Sequence, residues 1–387
     1  MDGPINNGPI NGAPLNGTAG PPLLEVQDLS VRFTGREATV NAVSGATFSL
    51  RAGEVLCLLG ESGSGKSVTL RALMRLLPKR AQVAGRVSVA GQDVMALDGA
   101  ALRSFRGGTV SMVFQEPMTA LDPVYTIGQH LTEMISRHKG GTRAEVRARA
   151  LEMLDLVKVP AAARRLDAYP HELSGGLRQR AMIAIALSCG PRLLLADEPT
   201  TALDATVQIQ VLILLRRLQQ ELGMGTIFVT HDLGVAAEIA DRVAVMYAGR
   251  VVEEGPVADV LRAPAHPYTA GLMASTVHDQ APDEDIAAIP GSPPDLRNLP
   301  PGCSFAPRCA WAMPACRQGF PDPVYPAPGR MARCLRVADV LRAGPPQPGT
   351  SQPGPAQSSA SQLGPSQPGA LQSGASQPGP SPQGVHA

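Results

Sequence analysis

No stretch of this 387-residue chain reaches the 18 consecutive apolar residues that a membrane-spanning helix needs. Its first residues also lack the basic and apolar regions of a secretory signal, so neither membrane insertion nor secretion is expected. An excess of one charge sign is missing as well. The formal net charge is +1, which provides no basic footprint for nucleic acid and no acidic steering field. Lysine is scarce, with nearly all the basic residues scattered arginines, a pattern that reads as codon bias rather than phosphate recognition. Cysteine is limited to six residues, which should be reduced in a chain with no secretory signal, so a cluster of them suggests metal before disulfide. The match of Asn16-Gly17-Thr18 to a glycosylation acceptor then carries no meaning.

Proline and glycine are plentiful instead, 37 and 40 residues, and much of the excess sits at the two ends. Residues 1–22, and residues 343–387 with Ser-Gln-Pro-Gly at 351–354, 366–369 and 376–379, cannot bury enough apolar surface to offset chain entropy and are expected to be disordered. Between them, short apolar runs alternate with helical periodicity, the pattern of an α/β fold with parallel strands and crossover helices. Val55 to Leu59 reads as a buried strand, and a helix is expected from Lys66 to Leu77, where Pro78 would stop it. Thr142 and Glu145 form a capping-box signature. Strands are expected at Leu193 to Ala196 and Thr226 to Thr230, with a helix from about 205 to 222 ending at Gly223. A hairpin should turn around Ala248 and Gly249. Past about 256 the periodicity fades into a small loop-rich unit holding Cys303, Cys309, Cys316 and Cys334. The expected division is 23–255 for the main domain and 256–342 for this unit.

The chemistry begins at Gly60, Glu61, Ser62, Gly63, Ser64, Gly65, Lys66 and Ser67, which fit G-x-x-x-x-G-K-[ST] between a strand and a helix. Glycines let successive N–H groups turn inward around phosphates at a helix N-terminus. Lys66 would supply a mobile point charge for the β- and γ-phosphates, and Ser67 a hydroxyl for Mg²⁺. Asp197 and Glu198 end an apolar strand, where Asp197 can hold Mg²⁺ and Glu198 can act as general base toward water. Ser174, Gly175 and Gly176 open a helix and make a second anion site.

This ordered set, with Phe114-Gln115-Glu116-Pro117, Ala202-Leu203-Asp204 and Thr230-His231-Asp232, resembles the ATP-binding subunits of ABC transporters. The resemblance implies the P-loop ABC fold, with a helical signature subdomain and an antiparallel β part. It also implies two subunits facing head to tail, each ATP lying between one phosphate loop and the partner's Ser174-Gly175-Gly176. In that pattern Gln115 reaches Mg²⁺ and water, His231 contacts the γ-phosphate and Asp204 crosses the dimer. Phe33 falls where the family keeps an aromatic under adenine; a strand-core role is the other reading.

Residues 115–128, 266–275 and 290–296 are similar to the dipeptide and oligopeptide permease ATPases, a family that includes nickel importers. That likeness implies peptide import driven by ATP at the cytoplasmic face of the cell membrane, with two permease subunits, a second ATPase and an external solute-binding protein. A soluble ABC ATPase acting on nucleic acid or ribosomes is the alternative, as is a motor for nickel or another solute. The spacing of Cys303, Cys309, Cys316 and Cys334 lacks the C-x2-C pair of common zinc ribbons and ferredoxins, which leaves ligands and buried thiols both open. In some of those permease ATPases this tail holds a 4Fe-4S cluster, so the likeness implies iron–sulfur here, with zinc as the alternative. Cys57 and Cys189 sit in apolar elements and read as packing.

Overall fold

The computed structural model describes residues 21–35, 38–201, 203–275 and 289–344, all within the first of two units, which ends at Gln352. The tails expected to be disordered lie almost entirely outside these residues, as does Ala202.

Twelve strands are described: β1 (Leu24–Thr34), β2 (Thr39–Leu50), β3 (Val55–Leu59), β4 (Ala81–Val89), β5 (Gln92–Asp93), β6 (Val110–Val113), β7 (Leu193–Asp197), β8 (Gly225–Thr230), β9 (Arg242–Tyr247), β10 (Arg250–Pro256), β11 (Val324–Ala327) and β12 (Arg330–Ala332). The first sheet is antiparallel, in the order β2-β1-β4-β5. The second runs β11-β12-β10-β9-β3-β8-β7-β6. Its middle, from β9 to β6, is parallel, while β10, β12 and β11 continue it antiparallel.

Every residue of β3, β7 and β8 is buried. That is why these segments read as unbroken apolar runs rather than alternating ones: helices and a second sheet cover both faces. One apolar cluster joins Leu24, Phe48 and Val89 of the antiparallel sheet to Leu56, Leu58 and Leu195 of the larger one. Another packs Leu131, Ile135, Leu154 and Ile183 from the helices Ile127–Lys139, Arg143–Leu156 and Gly175–Leu187. The Thr142–Glu145 capping box forms in both directions, and so does an unexpected one between Thr126 and Gln129.

The helix after the phosphate loop corrects the sequence reading. It spans Lys66–Leu73 and stops well before Pro78. Arg75 adopts the left-handed conformation at φ 53°, and Leu76 N donates to Arg71 O, the six-to-one bond that closes a helix end. The Arg75 guanidinium, donating to Leu97 O at 2.6 Å, anchors a conformation usually left to glycine. Elsewhere the expected elements form within a residue or so, including the helix Ala205–Leu222 with Gly223 left-handed behind it. The β9–β10 hairpin turns through Ala248 and Gly249, both at positive φ as a two-residue loop requires.

Beyond Pro256 the chain stays attached to the larger sheet. β12 pairs with β10, and Phe305 packs its ring against Tyr247 of β9 and Tyr268, with centroids 5.3 and 5.4 Å away. Among the described residues no helix is long and apolar enough to cross a membrane.

A candidate nucleotide site at the carboxyl ends of the parallel strands

In an open parallel sheet the carboxyl ends of neighbouring strands converge on one edge. Here the loop 60–67 follows β3, Gln115 follows β6, Asp197 and Glu198 end β7, and His231 follows β8. Because β7 and β8 lie on the same side of β3, residues far apart in sequence share one cleft of about 760 Å³, lined by Phe33, Gly60 to Val68, Gln115, Glu198 and His231 among others.

The loop needs glycine where it bends. Gly60 (φ 152°) and Gly65 (φ 102°) lie in the region that favours glycine, and a Cβ would sit 2.2 Å from Met246 O at the first and 2.4 Å from Ala42 O at the second. Lys66 is buried, and its Nζ donates to Gly60 O at 2.7 Å and Glu61 O at 3.0 Å. Burial pushes its pKa down, while the negative charge of Glu198 and Asp197 works the other way. Ser64 Oγ is buried with no hydrogen-bond partner, an orphaned donor inside the loop. A phosphate oxygen would satisfy it.

Ser67 Oγ donates to Asp197 Oδ1 at 2.7 Å. Asp197 is almost fully buried, and desolvation raises its pKa, opposed first by the Ser67 hydrogen bond. Two hard oxygens in contact, one of them a buried carboxylate, fit a divalent cation such as Mg²⁺.

Glu198 sits at φ 45°, left-handed and strained for this residue type, with its N–H tied to Val229 O at 3.1 Å. Its Oε2 receives Gln115 Nε2 at 3.3 Å and Thr201 Oγ1 at 3.0 Å and lies 3.3 Å from His231 Nδ1. Three sequence-predicted residues from three strand ends therefore meet at one carboxylate oxygen. Thr201 was not anticipated; its place three residues after Glu198 was the available signal.

Ser174, Gly175, Gly176 and Asp204 are not brought into this cleft. Ser174 caps the helix Gly175–Leu187, its side chain accepting from Leu177 N, and Asp204 caps the helix Ala205–Leu222 by accepting from Val207 N at 3.0 Å. Leu272 and Leu296, from beyond Pro256, do line the cleft.

The four late cysteines converge on a separate small cavity that they line with His266, Phe305 and Trp311. Cys303 N donates to Cys316 O at 2.8 Å, which closes the segment on itself. Burial raises all three shifted thiols: Cys303, Cys309 to about 11 and Cys334 to about 12. Arg336 N donates to Cys334 Sγ at 3.3 Å. Among the described residues no group of three or more His, Cys, Asp or Glu side chains stands at metal-holding separation.

Comparison with known proteins bears on both regions. Residues 43–201 match the ABC transporter family, and residues 252–316 match the C-terminal region of oligopeptide/dipeptide transporters. The oligopeptide transport ATP-binding protein OppD of Salmonella typhimurium is 46% identical over 319 residues, covering 82% of this chain and 95% of its own. OppD of Escherichia coli is likewise 46% identical over 319 residues, covering 82% and 94%. Among solved structures, the dimeric bacterial ABC transporter cassette MJ0796 superposes with a TM-score of 0.55 at 30% identity, over 60% of this chain and 98% of that one. With the phosphate loop, the strand-end carboxylates and a relative at this identity over four-fifths of its length, the chain belongs to the ATP-binding subunits of ABC transporters.

Proposed function

We propose that this chain is the ATP-hydrolysing motor of an importer of dipeptides or oligopeptides, with 23–255 as the motor domain and 256–342 as the peptide-transporter extension. The observation that carries the chemistry is the meeting of Gln115 and His231 at Glu198 Oε2. The loop 60–67 and Lys66 bind the phosphates, and Phe33 supports adenine. Mg²⁺, held by Ser67, Asp197 and Gln115, would neutralise charge on the β- and γ-phosphates. Glu198 accepts a proton from water at Oε2 as the water oxygen attacks the γ-phosphorus and the bond to the β-γ bridging oxygen breaks. Gln115 orients that water, and His231 contacts the γ-phosphate oxygens.

Ser174-Gly175-Gly176 and Asp204 act on the nucleotide of a second subunit, a reading supported by their position outside their own chain's cleft. The partners are a second ATPase, two transmembrane permeases and an extracytoplasmic solute-binding protein, with this chain peripheral on the cytoplasmic face of the membrane. The four late cysteines line one cavity and would be the ligands of a 4Fe-4S cluster, with zinc as the alternative; as placed they do not stand at metal-holding separation, so either group would require them to draw together. Anaerobically purified protein should then carry about four irons per chain. Four freely titrating thiols with no metal would end the cluster reading.

Glu198→Gln keeps shape and hydrogen bonding while removing basicity. Turnover should fall by about 10²–10⁴ with MgATP affinity retained, and the variant should form an ATP-dependent dimer. Parental turnover in this variant would remove Glu198 as the base.

A further inference from the structure

Glu61, the second residue of the phosphate loop, is gripped by the part of the chain that follows Pro256. Its N–H donates to Tyr268 Oη at 2.8 Å. Its carboxylate is held by Arg308 through a fork, Nη1 to Oε2 at 2.9 Å and Nη2 to Oε1 at 3.2 Å. Its carbonyl receives Lys66 Nζ. The Arg308 side chain is 6% exposed and that of Glu61 25%. The other Arg308 donors reach Pro290 O at 2.9 Å, Ile289 O at 3.4 Å and Tyr247 Oη at 3.3 Å, so the guanidinium's position is over-determined. Arg308 ends a short turn, Ala306–Arg308, immediately before Cys309.

A carboxylate in a phosphate-binding loop opposes its ligand. Left uncompensated, Glu61 would repel a triphosphate bound on neighbouring N–H groups. We propose that Arg308 is a positioning residue for nucleotide binding: by pairing with Glu61 it cancels that charge beside the phosphates, so the cysteine-containing extension forms part of the ATP site. The proposal rests on reading 60–67 as the nucleotide site.

Equilibrium titration of MgATP onto the full chain tests it, with thermal unfolding followed in parallel. Arg308→Met should weaken binding by about tenfold, the size of one close, partly screened charge. Glu61→Gln frees the Arg308 charge beside the phosphates and should tighten binding by about threefold. In the double variant most of the Arg308→Met loss should be recovered, although the clamp is then absent. A purely structural role for Arg308 predicts the opposite, a double variant as weak as Arg308→Met, and that result overturns the proposal. Arg308→Lys keeps the charge without the fork and should lose less than Arg308→Met, so equal losses also overturn it, even where Arg308→Met folds poorly. A parent chain that fails to bind MgATP sinks the nucleotide reading with the proposal, whereas a parent that binds no better than Arg308→Met sinks the proposal alone.

Discussion

At the strand edge, Lys66, Gln115, Glu198 and His231 direct polar atoms at an open cleft, and the His231 side chain is 57% exposed. In the region after Pro256, His266 and Phe305 are buried beside a small cavity lined by the late cysteines, and burial pushes His266 down to about 3. The first region keeps charge where a charged ligand can reach it and holds one residue, Glu198, in a strained backbone to do so. The second buries His266, Cys309 and Cys334 where desolvation favours their neutral forms. Charge survives burial in this chain where it is paired, as Arg308 is with Glu61 at the seam between the two.

Removing the cleft's central cation should break that contrast most severely. Lys66→Ala is expected to weaken MgATP binding by about 10²-fold, in the range of 2–5 kcal/mol for deleting a desolvated charge, with unfolding temperature little changed. Unaltered affinity in an equilibrium titration would take Lys66 out of its assigned role. Ser174→Ala probes the groups that lie outside the cleft. Hydrolysis should fall about tenfold while MgATP affinity of the isolated chain holds, and loss of the helix cap should cost about 1 kcal/mol of stability. A comparable loss of affinity in the isolated chain would place Ser174 in its own chain's site instead.

Two smaller effects concern the neutral region. Cys303→Ser should loosen residues 290–340, read as faster amide exchange there, while exchange across β7 and β8 stays slow. Uniform loosening of both segments would mean that the cysteine turn supports the whole molecule.

His266 gives the smallest effect. Its Nδ1 accepts from Tyr268 N at 3.0 Å, so the folded protein holds it neutral. Its folded pKa lies below the ordinary 6.5, so the unfolded chain binds the extra proton first. Stability contributed by the neutral ring is therefore complete above about pH 6.5 and is lost as pH falls from there toward 3. At pH 5.5 the loss is about 1 kcal/mol relative to neutral pH, and His266→Asn, which can still accept from Tyr268 N, should show a flatter acid limb in denaturant titrations. An unchanged limb would assign the acid sensitivity elsewhere.

Local signals carried much of this. The Gly60 to Ser67 pattern, the buried runs of β3, β7 and β8 and the Thr142 cap are each settled by neighbours in sequence, because backbone freedom, strand burial and capping act over a few residues. The early stop at Leu73 was hidden because a left-handed arginine, not a glycine, ends the helix, and its anchor at Leu97 is a tertiary contact.

What the sequence by itself determined was the inventory: a phosphate loop, strand-end carboxylates, an α/β alternation and a run of cysteines. Only the tertiary structure decided which of these meet. The order β3-β8-β7-β6 brings Gln115 to Glu198 across 83 residues, and the attachment of the extension to β10 brings Arg308 to Glu61 across 247. Strand order and the packing of one sheet edge are set by burying the whole apolar surface at once. No local pattern encodes that.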